Sequence, residues 1–521
     1  MTARPLPVRP RSAAAGARAL GAMVLAMVLA SCSLLNTEDR SQEPATAKAD
    51  PSIVASAPAG LEEFYSQEVV WEPCEGEFQC AKVTVPMDYG NPGGDKIQLA
   101  ALRASSTGKK TGSLLVNPGG PGASGYDFVK DAAGTHFSQA VRDAYDLVGF
   151  DPRGVKRSAP VTCMTDAERD AAREVQYDLD SDAGIAEARE DAAELAEKCA
   201  AKTGEVLAHV DTASAAKDMD IIRAVVGDAK LNYLGFSYGT FLGATYADLF
   251  PERVGRMVLD GAMDPSLTNE QVTLGQAKAF EGAIRSYAES CLASAECPLS
   301  GTVDQAVGQI QDLIQSVEAN PLTAEDGRLV TVSTFVSGFI VPLYNDVNWP
   351  LLTRALDGAF DGDPTDMLYL ADLGAERQAD GNYTSNSTAA FTAINCLDYP
   401  MESDLAGMKE NAAELEEASP TLGRYLAYGG TTCENWPAEP VRTPAPVDAA
   451  GADPILVIGT TGDPATPYEW AVSMTDQLES ASLLTYEAQG HTAYSRGDSC
   501  VQDAVDSYFI EGTMPDEGTV C

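Results

Sequence analysis

The stretch Lys230–Leu242, K-L-N-Y-L-G-F-S-Y-G-T-F-L, most narrows what this chain can fold into. A β-type run, Leu231–Leu234, meets a helix-type run, Thr240–Phe250, and two glycines bracket Ser237. Gly235 and Gly239 allow a turn sharp enough to lift the Ser237 hydroxyl clear of a sheet, and the helix N-terminus behind it favours negative charge. The bare G-x-S-x-G pattern arises by chance in many long chains. Its place between a strand and a helix makes it a nucleophile elbow.

A hydroxyl nucleophile needs a base, and the chain has three histidines: His136, His209 and His491. In sheets that carry such an elbow, the acid and then the histidine follow the serine, so only His491 can serve. It lies in Leu483–Tyr494, L-L-T-Y-E-A-Q-G-H-T-A-Y, where a short strand runs out into a Gly-His loop. The acid is expected at the end of an intervening strand. Pro454–Pro467, P-I-L-V-I-G-T-T-G-D-P-A-T-P, has the apolar run of a buried parallel strand and then presents Asp463. Asp463 would hold the imidazole in one tautomer and stabilise its charged form. Ser113–Gly125, S-L-L-V-N-P-G-G-P-G-A-S-G, is another strand emptying into a glycine-rich loop. It lacks G-K-[ST] and is therefore not a phosphate-binding P-loop. Its position before the elbow suits an oxyanion hole, with backbone donors at Gly120 and Tyr238.

Together N-P-G-G-P-G-A-S-G, G-F-D-P-R-G at Gly149–Gly154, G-F-S-Y-G, T-T-G-D-P-A-T-P and Q-G-H resemble the actinobacterial tripeptidyl aminopeptidases. These are secreted relatives of the prolyl aminopeptidase-like α/β-hydrolase serine peptidases. The resemblance runs from about residue 60 to the C-terminus. It implies Ser237 as nucleophile, Asp463 as orienting acid, His491 as base, and Gly120 and Tyr238 as oxyanion donors. It also implies an α/β-hydrolase fold with a large, mainly helical cap inserted before the acid-bearing strand. Lys156 departs from the pattern, since relatives often carry glycine after G-F-D-P-R-G-V.

At the N-terminus, Arg4, Arg9, Arg11 and Arg18 precede the apolar run Ala19–Ala30, which is too short for a permanent span. Residues 1–31 read as a targeting segment. Leu29-Ala30-Ser31-Cys32 resembles a bacterial lipobox, which implies cleavage before Cys32 and acylation of its sulfur. The expected location is the outer face of the cell membrane, held by lipid alone and partly shed. Residues 32–60, polar and rich in Ala, Ser, Pro and Glu, read as a flexible tether.

The formal charge is −42, and removal of the four leader arginines makes the mature chain more acidic still. Nucleic acid is therefore excluded as a partner, since phosphate binding needs the opposite sign. Of the eleven cysteines, Cys32 set aside leaves ten, an even number that suits an oxidising compartment. Neighbour-to-neighbour pairing gives Cys74–Cys80, Cys163–Cys199, Cys291–Cys297, Cys396–Cys433 and Cys500–Cys521. No C-x-x-C pair or histidine cluster occurs, so neither a metal nor a cofactor is expected.

The chain exceeds the roughly 250–300 residues at which single cores stop growing, so a core with a large insertion is expected. The boundaries read as core from 61 to 265, cap from 266 to 450, and core again from 451 to 521. Ala81–Pro86, Ile97–Arg103, Leu114–Asn117, Leu147–Phe150 and Met257–Asp260 read as strands, and Thr212–Val226 as a helix. Asp166–Ala201 reads as a solvated helical excursion. An exopeptidase cap closes one side of the pocket and supplies carboxylates for a free α-amino group. Asp398, in Ala393–Asp398, is the candidate for that task, and Trp349, Tyr344 and Tyr399 are candidate pocket aromatics. The expected substrate is a peptide or protein N-terminus. An esterase or lipase on the same scaffold, and a non-catalytic peptide-binding lipoprotein, are the alternatives. Oligomeric state is not readable.

Overall fold

The computed structural model describes residues 45–494 and 496–521. The leader at 1–31 and the lipidation candidate Cys32 lie outside the described residues. One ten-stranded sheet organises the chain. Its strands are β1 (Ala45–Lys48), β2 (Glu68–Cys74), β3 (Phe78–Pro86), β4 (Lys96–Ala104), β5 (Gly112–Asn117), β6 (Tyr145–Phe150), β7 (Leu231–Phe236) and β8 (Val254–Asp260). A two-residue pair in the insertion, β9 (Leu322–Thr323) and β10 (Leu329–Val330), stands apart. Then β11 (Ile455–Gly462) and β12 (Ala481–Gln489) complete the large sheet.

Strand order across the sheet is β1-β2-β3-β4-β6-β5-β7-β8-β11-β12. The run from β6 to β12 is parallel, and β1 to β4 form an antiparallel flank. The parallel strands have helices on both faces, so they read as continuous apolar runs. Every residue of β5 and β6 is buried, as are Ile455–Thr460 in β11. This doubly covered, mostly parallel sheet is an α/β-hydrolase fold.

The structure lengthens the strands read from sequence by up to three residues, mostly at their N-terminal ends, while the elbow strand gains two at its C-terminal end. Its larger departure concerns 45–60, expected as tether. β1 pairs antiparallel with β2, Ile53 joins the main core, and Arg253 donates to the Ser56 carbonyl at 2.6 Å. Ile53 with Ala47, Ala49 and Ala57, one guanidinium and a strand edge dock a stretch whose composition is polar.

The excursion at Asp166–Ala201 is two helices, Asp166–Arg173 and Asp182–Thr203, with Cys163 bonded to Cys199. The other four disulfides are Cys74–Cys80, Cys291–Cys297, Cys396–Cys433 and Cys500–Cys521. In the insertion, helices from Asn269–Leu292 to Thr365–Gly374 share a core of their own around Ile284, Ile310, Phe335, Phe339 and Leu356. The helix Ser387–Asp398 behaves differently. Its Ala390, Ala393, Ile394 and Leu397 belong to the sheet's core, so this part of the expected cap is packed on the hydrolase body.

G-F-D-P-R-G runs from the end of β6 into the loop after it and is structural. Arg153 is fully buried and grips Asp218 on the helix Thr212–Val225 through Nε at 2.8 Å and Nη2 at 2.7 Å. Its remaining N–H groups reach the carbonyls of Pro86, Met87 and His209. One side chain thus ties β3 to two later segments.

Candidate active site

Ser237 closes β7 and caps the helix Tyr238–Leu249 at φ 55°, ψ −124°, a conformation that costs a non-glycine residue strain. The neighbours explain why it is tolerated. A Cβ on Gly235 would collide with the Gly239 carbonyl, and one on Gly239 would come within 2.7 Å of the Asn117 carbonyl. Only glycine lets the strand, the turn and the loop after β5 close up here. Ser237 N–H donates to the Asp260 carbonyl at the end of β8 (2.9 Å), and Thr240 Oγ1 donates to the Ser237 carbonyl (2.6 Å).

The loop after β5 lies against the elbow. At Gly119 a Cβ would come 2.9 Å from Ser237 Cβ and 3.2 Å from Tyr238 N. The Gly119 N–H is committed to Asn117 Oδ1 (2.9 Å), so Gly120 is the next donor in the loop. The Tyr238 side chain turns away from the site and its hydroxyl pairs with Thr212 Oγ1.

Asp463 follows β11 and is buried. Its Oδ1 accepts from Ala465 N and Thr466 N, both at 2.9 Å, and its Oδ2 from Thr466 Oγ1 at 3.0 Å and Thr492 N at 3.1 Å. His491 Nδ1 lies 2.9 Å from both carboxylate oxygens. Burial pushes the Asp463 pKa up, but the facing imidazole and these donors outweigh it and hold the group below its ordinary value. For His491, burial lowers the pKa, while Asp463, and then Asp260, raise it; the net shift is upward.

Two groups that sequence reading did not assign, Thr466 and Asp260, and one it named as a candidate pocket aromatic, Tyr344, complete the arrangement. Thr466 Oγ1 is 3.3 Å from His491 Nδ1 as well as bonded to Asp463. Its signal was present in D-P-A-T, an aspartate followed three residues on by threonine, the spacing of a local side-chain turn. The buried Asp260 accepts from Ala493 N (2.9 Å) and Tyr494 N (2.7 Å), so its backbone holds Ser237 while its carboxylate holds the His491 loop. Burial lifts its pKa to about 7. Tyr344, from the insertion, accepts from His491 N (2.7 Å) through its carbonyl and presents its ring edge-on to the imidazole at 5.4 Å. Arg496 secures the same junction, bonding Asp346 Oδ1 at 2.9 Å and the Gln489 carbonyl at 2.6 Å.

Other expected site residues fall elsewhere. Asp398 is 1% exposed, and Thr212 N (3.0 Å) and Thr212 Oγ1 occupy its two oxygens. A carboxylate enclosed and bonded in this way joins the insertion to the helix Thr212–Val225 and does not receive a substrate amine. Tyr399 is buried and stacks on Phe241, and Trp349 sets its ring against Tyr287. Both are packing residues. His136 pairs with Thr135 on the surface, and His209 contributes its carbonyl to Arg153.

A serine on a strained strand-to-helix elbow, with an acid and a histidine bonded at the ends of later parallel strands, defines an α/β-hydrolase of the serine type. The profile of the family described as "TAP-like protein" matches residues 419–521. The chain is 39% identical over 481 residues to "Serine protease Hip1" of Mycobacterium tuberculosis, covering 87% of this chain and 91% of that protein. It is 34% identical over 466 residues to "Tripeptidyl aminopeptidase" of Streptomyces lividans (87% and 86%). It is also 40% identical over 453 residues to "Carboxylesterase B" of M. tuberculosis (85% and 86%). The chain belongs to the TAP-like family of α/β-hydrolases.

Proposed function

We propose that this protein is an exported serine exopeptidase that releases short peptides, three residues long, from free N-termini. The observation that carries the reading is the His491–Asp463 pair, 2.9 Å apart with the carboxylate buried, beside an elbow whose serine sits at positive φ. In the reaction, Ser237 Oγ attacks the scissile carbonyl and His491 Nε2 takes its proton. Asp463 fixes the tautomer by accepting from Nδ1, and the resulting imidazolium gains from the same carboxylate. The N–H groups of Gly120 and Tyr238 receive the oxyanion. His491 then protonates the departing amine, an acyl-enzyme remains on Ser237, and water activated by the same histidine releases it.

The peptidase reading is supported by relatives named as a serine protease and a tripeptidyl aminopeptidase. The helical insertion adds the restriction an exopeptidase needs, because its Tyr344 carbonyl and ring border His491. Export and lipid anchoring rest on the leader and Cys32. Among the described residues no helix is long and apolar enough to cross a membrane.

The relative named a carboxylesterase favours one further reading, an esterase with the same nucleophile. Hydrolysis of a chromogenic tripeptide with a free amine, its N-acetylated twin and a short acyl ester separates the two. The proposal expects turnover of the free-amine peptide alone, abolished in Ser237→Ala. Preference for the ester, or indifference to acetylation, would sink the exopeptidase claim.

A further inference from the structure

A pocket of about 640 Å³ opens between the segment Lys156–Arg173 and the insertion, away from the Ser237 elbow. The helix Ser387–Asp398 separates the two sites. A Cβ on Gly122 of the loop after β5 would meet the Ser387 carbonyl, Ala390 and Phe391, whereas Thr388, Ala389 and Thr392 line the pocket.

The walls are cationic although the chain carries a formal charge of −42. Lys156, Arg157, Arg169 and Arg173 line them, and three of these cations already have carboxylate partners. Lys156 binds Asp127 at 2.6 Å, Arg157 binds Asp127 and Asp151 at 2.7 and 2.9 Å, and Arg173 binds Asp372 at 2.7 Å. Arg169 makes no ion pair among the described residues. Its guanidinium carbon lies over the Tyr383 ring, 3.6 Å from the centroid, and Nη1 donates to the Ser385 carbonyl at 2.8 Å. Stacking and one carbonyl bond hold the fork in place and leave N–H groups for a planar acceptor. Asp166, the one acid in the lining, accepts from Tyr383 N at 3.3 Å and, with Glu376, acts on Arg169 from a distance without bonding it.

The ligand chemistry follows from this arrangement. Arg169 is the one cation of the four without a directly bonded carboxylate, and a single guanidinium matches one negative charge, as on a carboxylate, whereas a dianionic phosphate would call for a second free cation. Ser333, Ser337, Thr388 and Thr392 supply hydroxyls, while Val161, Met164 and Leu195 supply apolar wall, a mixture suited to peptide groups and small side chains. The volume falls in the roughly 300–1,000 Å³ range of small-ligand pockets.

We propose that this pocket binds the C-terminal carboxylate of a short peptide, with Arg169 as the anion's partner. The choice of a peptide rests on the exopeptidase reading, whose product is such a molecule; the carboxylate preference does not.

The test is calorimetric titration of purified Ser237→Ala protein with tri-alanine, its C-terminal amide and succinate. The acid is expected to bind at least tenfold more tightly than the amide and than succinate. Arg169→Met is expected to remove that preference, and Arg169→Lys to retain part of it. Equal binding of acid and amide overturns the site without any variant having to fold, and so does an Arg169→Met protein that keeps the full preference. Succinate binding as tightly as the peptide overturns the peptide assignment and identifies a free small acid as the ligand. Because no bond is cut, a protein inactive in the hydrolysis assay leaves this result standing.

Discussion

At Asp463, two backbone N–H groups, the Thr466 hydroxyl and Thr492 N surround one carboxylate before the imidazole is counted. Thr466→Val keeps the shape and removes the hydroxyl, leaving the carboxylate one donor short beside His491. A lost hydrogen bond of this kind is worth on the order of 1 kcal/mol, so kcat should fall roughly 5- to 10-fold with KM little changed. Steady-state kinetics on the tripeptide substrate check this, and an unaltered kcat would show that Thr466 only fills space. The pH profile tests Asp260. Catalysis needs neutral His491, and because neighbouring carboxylates raise its pKa, the acid limb of kcat/KM should lie above the ordinary value of 6.5. Asp260, whose own pKa is about 7, is partly ionised across that limb, so Asp260→Asn removes a fraction of that charge and should move the limb modestly to lower pH. A limb that stays in place would show that Asp260 acts on the loop alone. In the body of the fold, Arg153→Met leaves Asp218 buried without its cation and should cost about 3–5 kcal/mol, read as a lowered denaturation midpoint.

Among the elements, the junction between insertion and sheet decides how His491 is held. The loop after β12 hangs from Asp463 and Asp260 on the sheet side and from Tyr344 on the insertion side. Arg496 spans the two, since it bonds the Gln489 and Thr492 carbonyls on either side of the histidine as well as Asp346. Arg496→Ala should therefore lower kcat by about tenfold. Asp346→Ala, which cuts only a half-exposed ion pair, should cost severalfold less. Kinetics that rank the two variants the other way would show that the insertion, not the loop, sets the geometry. The disulfide Cys396–Cys433 anchors the end of the helix Ser387–Asp398 and closes a loop of 37 residues. Its double serine variant should lose about 2–4 kcal/mol of stability, measured by denaturant unfolding.

For the molecule as a whole, acidity shapes stability. Asp260 and Asp398 are buried with pKa values lifted to about 7, so the folded state prefers them protonated. Their contribution is complete below the ordinary carboxylate value and fades as pH rises through 7. Lower pH also relieves the repulsion of a −42 chain. Asp127 and Asp170 run the opposite way, held near 2 by their cations, and their contribution is lost only as pH falls toward that value. The thermal midpoint should therefore rise as pH is lowered from 8 toward 5, and Asp398→Asn should flatten the rise. Calorimetry over that range checks it, and a midpoint that falls on mild acidification would contradict the assignment. Local signals settle within a few residues, and by themselves they set the elbow at Ser237, the turn that presents Asp463 and the Gly-His loop. Glycine, proline and a strand's apolar run act over that span. Long-range contacts carry no such mark. Asp260 meets the His491 loop 233 residues away, Tyr344 reaches it from the insertion, and Asp398 is drawn inward by Thr212. Only packing brings those groups together, because a side chain's role at such separations depends on which surfaces the sheet and the insertion bury against each other.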